Sequence, residues 1–209
     1  MTLDERTVLA SSSLPLDQPT RIDELISQLK PCRLGWKTAH GDEPFPGTVV
    51  VEFDRDTPTV LFKSVFRTSF LAGYPNVLVR GLDNRREPIS LGADIPPPPN
   101  PSFPPSTVLH AYVTGKTVRL TWRRGEATLS ESIESLVGLA ESVCKQWGQY
   151  GVHRDKSDRA SDLATLHLPN DEPLAVLLPV VESLLDCKRL YDGEATSQPV
   201  FSATFAASD

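Results

Sequence analysis

Residues 108–122 read VLHAYVTGKTVRLTW and carry the most specific local signal in the chain. Two runs that alternate apolar with polar residues flank the segment from Thr114 to Thr117. Its two central residues are Gly115 and Lys116, and a two-residue loop with glycine first is typical of a type II′ β-turn. The sequence therefore predicts a β-hairpin in which Thr114 lies opposite Thr117.

The register of this hairpin decides which side chains share a face, because successive side chains of a strand point to opposite sides. One face is predicted to be polar. On it Tyr112 lies opposite Arg119, His110 opposite Thr121, and Val108 opposite Arg123. The other face is predicted to be apolar and to face the core; it carries Leu109, Ala111, Val113, Val118, Leu120 and Trp122.

The polar face is the candidate binding surface, with His110, Tyr112, Arg119 and Arg123 as its site residues. Imidazole, aromatic and guanidinium groups on one sheet face can bind anions or acidic peptides through charge and bidentate hydrogen bonds, or bases by stacking. The competing interpretation is an ordinary solvated face on which arginine stems cover Tyr112 and Val108.

Further strands are predicted on the N-terminal side of the hairpin. Residues 48–53, 59–67 and 77–82 are rich in β-branched and apolar residues, and turns are expected at 54–58 and 83–84. Residues 95–105 contain seven prolines, which predicts an extended polyproline II segment in an external loop. This loop is either a stiff connector or a docking peptide for a partner.

Helices are expected on both sides of the strands. Thr20 is a candidate N-cap for a helix over residues 21–30, which Pro31 is expected to end. Ser130 is a candidate N-cap for a second helix, which is expected to run to Trp147. A charged loop over 152–162 precedes a C-terminal helix after Pro179. Residues 1–19 are expected to form a flexible N-terminal arm, and 200–205 a short edge strand.

These elements predict an α+β fold in one domain over residues 20–205. The expected sheet is mostly antiparallel, has about five strands within residues 47–123, and is covered on one face by the helix at 130–147 and the C-terminal helix. A run of strands followed by a run of helices favours this architecture over a doubly wound sheet.

Charge is divided unevenly along the 209 residues. The chain has a net charge of −6, yet residues 47–125 contain ten basic and six acidic residues, which gives +4 there and −10 elsewhere. Such a division is typical of a surface for an anionic partner, or of acidic helices that flank a mildly basic sheet.

The cysteines and the N-terminus bear on the compartment. Cys32, Cys144 and Cys187 are odd in number and widely spaced, which favours reduced thiols over a disulfide framework. The first residues lack the basic start and apolar core of a signal peptide, and no apolar run is long enough to span a bilayer. The sequence therefore predicts a chain of the cytoplasm or nucleus that does not use a membrane.

Resemblances to catalytic motifs fail on inspection. Gly115-Lys116-Thr117 resembles the end of a phosphate-binding loop, but His110 stands where the first glycine is needed. His153-Arg154-Asp155 resembles the start of a kinase catalytic loop, but position 160 is Ala where Asn is needed. No histidine has a histidine or cysteine at metal-ligand spacing, so neither a metal nor another cofactor is expected.

The sequence thus favours a non-catalytic binding or assembly protein, an adaptor or a complex subunit. A protein partner is expected, with an anionic partner as one option. The rival is an enzyme or small-ligand-binding domain with a pocket bordered by His110, Tyr112 and Arg119. Binding of single-stranded nucleic acid is less favoured, because the chain as a whole is acidic.

Overall fold

The computed structural model describes residues 14–74, 76–81, 89–94, 107–124, 127–134 and 136–206. Its helices are α1 Asp23–His40, α2 Thr59–Leu71, α3 Leu139–Tyr150 and α4 Leu177–Asp186, the last preceded by a short 3-10 turn, Leu174–Val176. Its strands are β1 Thr48–Phe53, β2 Asn76–Gly81, β3 Ile89–Asp94, β4 Thr107–Thr114, β5 Thr117–Arg124, β6 Ala127–Ile133, β7 Asp162–His167, β8 Lys188–Arg189, β9 Gln198–Pro199 and β10 Phe201–Ala206.

Eight of the strands form one mixed sheet in the order β1-β2-β3-β10-β7-β4-β5-β6, and β8 pairs with β9 separately. The predicted mixture of helices and antiparallel strands is confirmed at this coarse level. The sheet is larger and more mixed than predicted, because β7 and β10 enter its centre. Four neighbouring pairs are parallel: β1 with β2, β3 with β10, β10 with β7, and β7 with β4.

The β4–β5 hairpin has the predicted register. Thr114 pairs with Thr117, Tyr112 with Arg119, and the pairing continues to Leu109 and Trp122. Gly115 has a φ of 56°, and no other residue type in the described ranges has a positive φ, so the turn has the type II′ pattern of glycine first. All six residues of the predicted apolar face are at most 2% exposed: Leu109, Ala111, Val113, Val118, Leu120 and Trp122.

These six side chains form one core with helices α2, α3 and α4. Helix α2 contributes Phe62 and Phe66, and α3 contributes Leu139 and Val143. Helix α4 contributes Leu177, Val180, Val181 and Leu184. Trp122 Nε1 donates a hydrogen bond to the side chain of Gln146 on α3.

The predicted strand at 59–67 is wrong, because this segment lies within helix α2. The helix is buried on almost every side, from Thr59 to Phe66, and its polar residues Lys63, Ser64 and Thr68 are buried as well, so it lacks the solvated polar face of a surface helix. Its first backbone N–H groups are satisfied by tertiary partners: Thr59 N donates to Glu172 O and Val60 N to Asn170 O.

The predicted helix at 130–147 is corrected at its start. Residues 127–133 form strand β6, which pairs antiparallel with β5, and α3 begins only at Leu139 after Gly138. Ser130 therefore does not cap a helix. Val137, which lies inside the predicted helix, is 90% exposed in the turn between the two elements.

Helix α1 continues through Pro31 to His40, although Pro31 was predicted to end it. Tertiary contacts on both sides of the proline hold the helix against its neighbours. Tyr74 Oη donates to Leu29 O, and Arg33 Nη1 donates to Ala72 O. The helix begins after Ile22 without a side-chain cap, so Thr20 does not have its predicted capping role.

The C-terminal segment is partly as predicted. A helix was expected after Pro179, and α4 lies there, but it begins at Leu177 and includes Pro179 in its first turn. The predicted edge strand at 200–205 is strand β10, and it is central rather than peripheral, because it pairs with β3 on one side and β7 on the other.

Three predicted features lie wholly or partly outside the described residues: the proline-rich loop at 95–105, the turn at 83–84 and most of the N-terminal arm. Within the described part of that arm, Asp17 O accepts a hydrogen bond from Asn170 Nδ2. In the described ranges, no helix is both long and apolar enough to cross a membrane.

The three cysteines are not all free, which differs from the prediction of reduced thiols. Cys144 on α3 and Cys187 after α4 are joined as a disulfide, with their Cα atoms 5.2 Å apart, and Cys32 is free. The reason is geometric, since α3 and α4 pack against each other and bring together two cysteines that lie 43 residues apart. The compartment stays a prediction.

Candidate functional site

The polar side of strands β4, β5, β6 and β7 forms one continuous surface, which we call the polar strip. It comprises nine polar side chains on the outward side of these strands, where outward residues alternate with core residues. Strand β7 joins it because β4 and β7 pair in parallel, which sets Tyr112 beside His167 and His110 beside Thr165. The strip consists of His110, Tyr112, Arg119, Thr121, Arg123, Ser130, Ser132, Thr165 and His167.

A stacked row crosses the strip from β7 to β5. The rings of His167 and Tyr112 are stacked with centroids 4.2 Å apart, and the guanidinium carbon of Arg119 lies 4.2 Å from the centroid of the Tyr112 ring. Tyr112 is therefore held between an imidazole and a cation. Neighbouring strands lie about 4.8 Å apart, a spacing that allows rings on adjacent strands to stack side by side.

His110 lies beside this row and contacts it directly. Its Nδ1 is 2.9 Å from Nε2 of His167, a hydrogen bond between two imidazoles. The ring centroids of His110 and Tyr112 are 6.2 Å apart. The four groups His110, His167, Tyr112 and Arg119 thus form a single contact cluster built from three strands.

Hydroxyl groups flank the cluster. Thr165 Oγ1 and Thr204 Oγ1 form a buried hydrogen bond on the β10 side, and Thr121 and Ser130 lie 3.4 Å apart on the β6 side. Exposure rises from β10 towards β6: Thr165 is 3% exposed, whereas Arg119 and Ser130 are exposed. Within the described residues, the outward positions of strands β4, β5, β6, β7 and β10 include no Asp or Glu.

The structure places the predicted site residues as follows. His110 and Tyr112 are half-buried, and Arg119 and Arg123 are exposed on the same side of β5. Arg123 stands roughly 13 Å from Arg119 along the strand, outside the stacked row. The predicted place of Val108 on the polar face is wrong, because its side chain is only 7% exposed. The pairing of β4 with β7 shifts register between Thr107 and Leu109, which turns Val108 away from the solvated face.

His167 is the member of the cluster that the sequence did not reveal. It ends strand β7, whose sequence DLATLH alternates inward Ala164 and Leu166 with outward Thr165 and His167. That short alternation is a strand signal. Nothing local, however, indicates that this strand pairs with β4.

The rival hypothesis needs an enclosed pocket at the hairpin. One open cleft, about 380 Å³ in volume, lies away from the hairpin, at the amino ends of β7 and β10. Across it Arg159 forms an ion pair with Glu194 at 3.2 Å. Its lining consists of Arg159, Ser161, Tyr191, Glu194, Gln198, Pro199 and Phe201, none of which is a predicted site residue.

The loop that holds His153 is tied down by two carboxylates. The Asp162 side chain is buried and accepts hydrogen bonds from Trp147 Nε1 at 2.7 Å and from Val152 N at 3.0 Å. His153 Nδ1 lies 2.8 Å from Asp158 Oδ2. This hydrogen bond, with a second from the Ala160 backbone, lowers the pKa of the Asp158 carboxyl. The arrangement fits a structural staple for the loop.

No metal site is apparent within the described ranges, where no group of three or more His, Cys, Asp or Glu side chains could hold an ion. Gly115 N donates to Glu172 Oε1 at 2.8 Å, so the Gly115-Lys116-Thr117 turn is fixed as part of a hairpin. Comparison with known proteins finds no matching family model, no matching curated protein and no matching solved structure.

Proposed function

We propose that this protein is a non-catalytic binding or assembly subunit, and that its polar strip holds a carboxylate-rich segment of a protein partner. The observation that supports this most is the stacked row of His167, Tyr112 and Arg119, with His110 beside it. It concentrates hydrogen-bond donors on one face that has no acidic side chain among its described outward positions.

The proposal includes an arrangement in which the helices pack on one face of the sheet and leave the strip accessible on the other. Its support is the core, which joins the inward side chains of the β4–β5 hairpin with helices α2, α3 and α4. The strip residues alternate with these inward residues and point the opposite way. An accessible face of this kind suits a partner segment that lies along the strands.

The stacking geometry favours acidic groups over nucleobases. Both faces of the Tyr112 ring are occupied, one by the imidazole of His167 and the other by the guanidinium of Arg119. A base would need one of those faces in order to stack. The groups at the ring edges are instead N–H and O–H donors, which suit carboxylate oxygens. The net charge of −6 also disfavours a long polyanion such as nucleic acid.

The rival, an enzyme or small-ligand domain at the hairpin, is less well supported. The cleft at Arg159 and Tyr191, a place where a small ligand could bind, shares no residue with the polar strip.

Chemical-shift mapping by NMR tests the proposal. A decapeptide of aspartate should shift the backbone amides of β4, β5 and β7 most strongly, at low salt. The matched comparison is an oligothymidine of similar charge, which should produce weaker shifts. Shifts confined to the cleft around Tyr191, or stronger binding of the oligonucleotide, would contradict the proposed function.

A further inference from the structure

Strand β1 lies at one end of the eight-stranded sheet, and in the described ranges its only ladder partner is β2. The pairing with β2 runs without interruption from Thr48 to Phe53. Within those ranges the other side of β1 presents a row of backbone N–H and C=O groups that is roughly 20 Å long. An edge of this kind is a template for the addition of another strand.

The opposite end of the sheet, strand β6, has a feature that opposes such addition. Glu131 pairs with the fully buried Leu120, so its side chain lies on the core-facing side of the sheet. There its carboxylate accepts a hydrogen bond from Gln146 Nε2. A charge that points inward on an edge strand would be placed beside the apolar side chains of an added strand, which disfavours the pairing.

Strand β1 lacks the features that protect an edge. Its sequence, TVVVEF, contains neither lysine nor proline, and its register against β2 has no bulge. Its core-facing positions are all apolar. Val51 and Phe53 pack against the core, and Val49 pairs with the buried Val77. An added strand would therefore continue an apolar row on this side of the sheet.

The opposite side of β1 is complementary to itself. Thr48, Val50 and Glu52 are exposed there, Val50 by 47%. An antiparallel second copy with the two-fold axis at Val50 sets the two Val50 side chains against each other. Each Thr48 then lies opposite Glu52 of the other copy, so no like charges are paired. An axis at Glu52 would instead set two carboxylates directly opposite each other, which is unfavourable.

We propose that β1 pairs antiparallel with β1 of a second copy of this chain and joins the two sheets in a closed two-fold dimer. The charges favour this occupant of the edge. Pairing of β1 with β6 of another copy would place Glu131 beside the apolar row of β1, and it would extend from copy to copy without closing. The inference does not depend on the proposed function, because the polar strip lies on other strands.

Sedimentation equilibrium of the full chain, over concentrations up to roughly 1 mM, tests whether the dimer forms. A single strand pair is smaller than a standard interface of about 1,600 Å², so we expect a weak dimer whose share rises with concentration. A protein that stays monomeric over the whole series would overturn the proposal, whether solvent or another segment of the chain covers the edge. Growth into species larger than the dimer would overturn the closed pairing.

Two lysine substitutions on the exposed side of β1 test the register. Val50→Lys sets two cations opposite each other at the axis and should weaken the dimer at least about tenfold. Thr48→Lys adds the same charge on the same side of the strand, but there it lies opposite Glu52 of the other copy. It should therefore strengthen the dimer about two- to tenfold at low salt.

Both positions are exposed, so both variants should remain folded, which circular dichroism checks. Thr48→Lys tests the register even where Val50→Lys proves unstable. Dimerisation of a folded Val50→Lys protein at the wild-type level would show that β1 is not the interface. A dimer that Thr48→Lys weakens would show that the axis does not lie at Val50.

Discussion

His110 Nδ1 and His167 Nε2 lie 2.9 Å apart although 57 residues separate them in the chain. They meet because β4 and β7 are parallel neighbours, a pairing that needs a long crossover connection. The hairpin alone supplies His110, Tyr112 and Arg119. The sheet topology adds the fourth group and converts a local pattern into a cluster built from three strands.

The first prediction concerns the indole of Trp147, which anchors Asp162. Trp147→Phe keeps most of the packing but leaves the buried carboxylate without one of its donors, so it should lower the free energy of unfolding by about 1–3 kcal/mol. Urea unfolding measures this loss. Val137→Ala is the matched control, because that side chain is 90% exposed, and its effect should stay within about 0.5 kcal/mol. An equal effect of the two changes would contradict the staple.

The second prediction concerns Lys63, which is fully buried in α2. Its Nζ donates to Leu168 O at 2.7 Å and to Asn170 Oδ1 at 3.1 Å. Lys63→Met fills similar space but leaves these acceptors without that donor, which should cost about 1–3 kcal/mol in thermal or urea unfolding. The exposed Lys145→Met is the control and should be nearly neutral. A stable Lys63→Met protein would show that these hydrogen bonds contribute little.

The third prediction concerns the thiols. Titration of the denatured, never-reduced protein should find one thiol, that of Cys32, and three after reduction, because Cys144 and Cys187 are paired. The bridge closes a loop of 43 residues, so Cys187→Ala should lower the free energy of unfolding, measured against the oxidised wild type, by about 4 kcal/mol. Three thiols before reduction would show that the pair is not oxidised, in agreement with the cysteine pattern of the sequence.

The hairpin could be predicted because its signals agree. Gly115 supplies the conformation that the turn needs, and strict alternation on both sides places Leu120 and Trp122 inside and Arg119 outside. Local chemistry and periodicity pointed to the same register. The three cluster residues that lie on this hairpin, His110, Tyr112 and Arg119, were therefore available from the sequence.

Other elements could not be predicted, because their sequences lack the usual pattern of their own structure or carry the pattern of another one. Helix α2 is buried on nearly all sides, and its β-branched and aromatic residues suggested a strand. Strand β6 suggested a helix start, because Ser130 precedes Glu131 as a cap precedes an acidic first turn. The central place of β10 and the parallel pairing of β7 depend on long-range contacts that no local window contains.

Charge reversal on the polar strip tests the central claim most directly. Arg119→Glu/Arg123→Glu exchanges two exposed cations for anions, and Lys145→Glu/Lys188→Glu makes the same change of charge on α3 and β8. Both variants should remain folded, because exposed charges contribute about 0–1 kcal/mol each. Calorimetric titration with the aspartate decapeptide should show at least about tenfold weaker binding for the strip variant, with less dependence on salt, and about unchanged binding for the control. Equal affinities for the wild type and a folded strip variant would contradict the account.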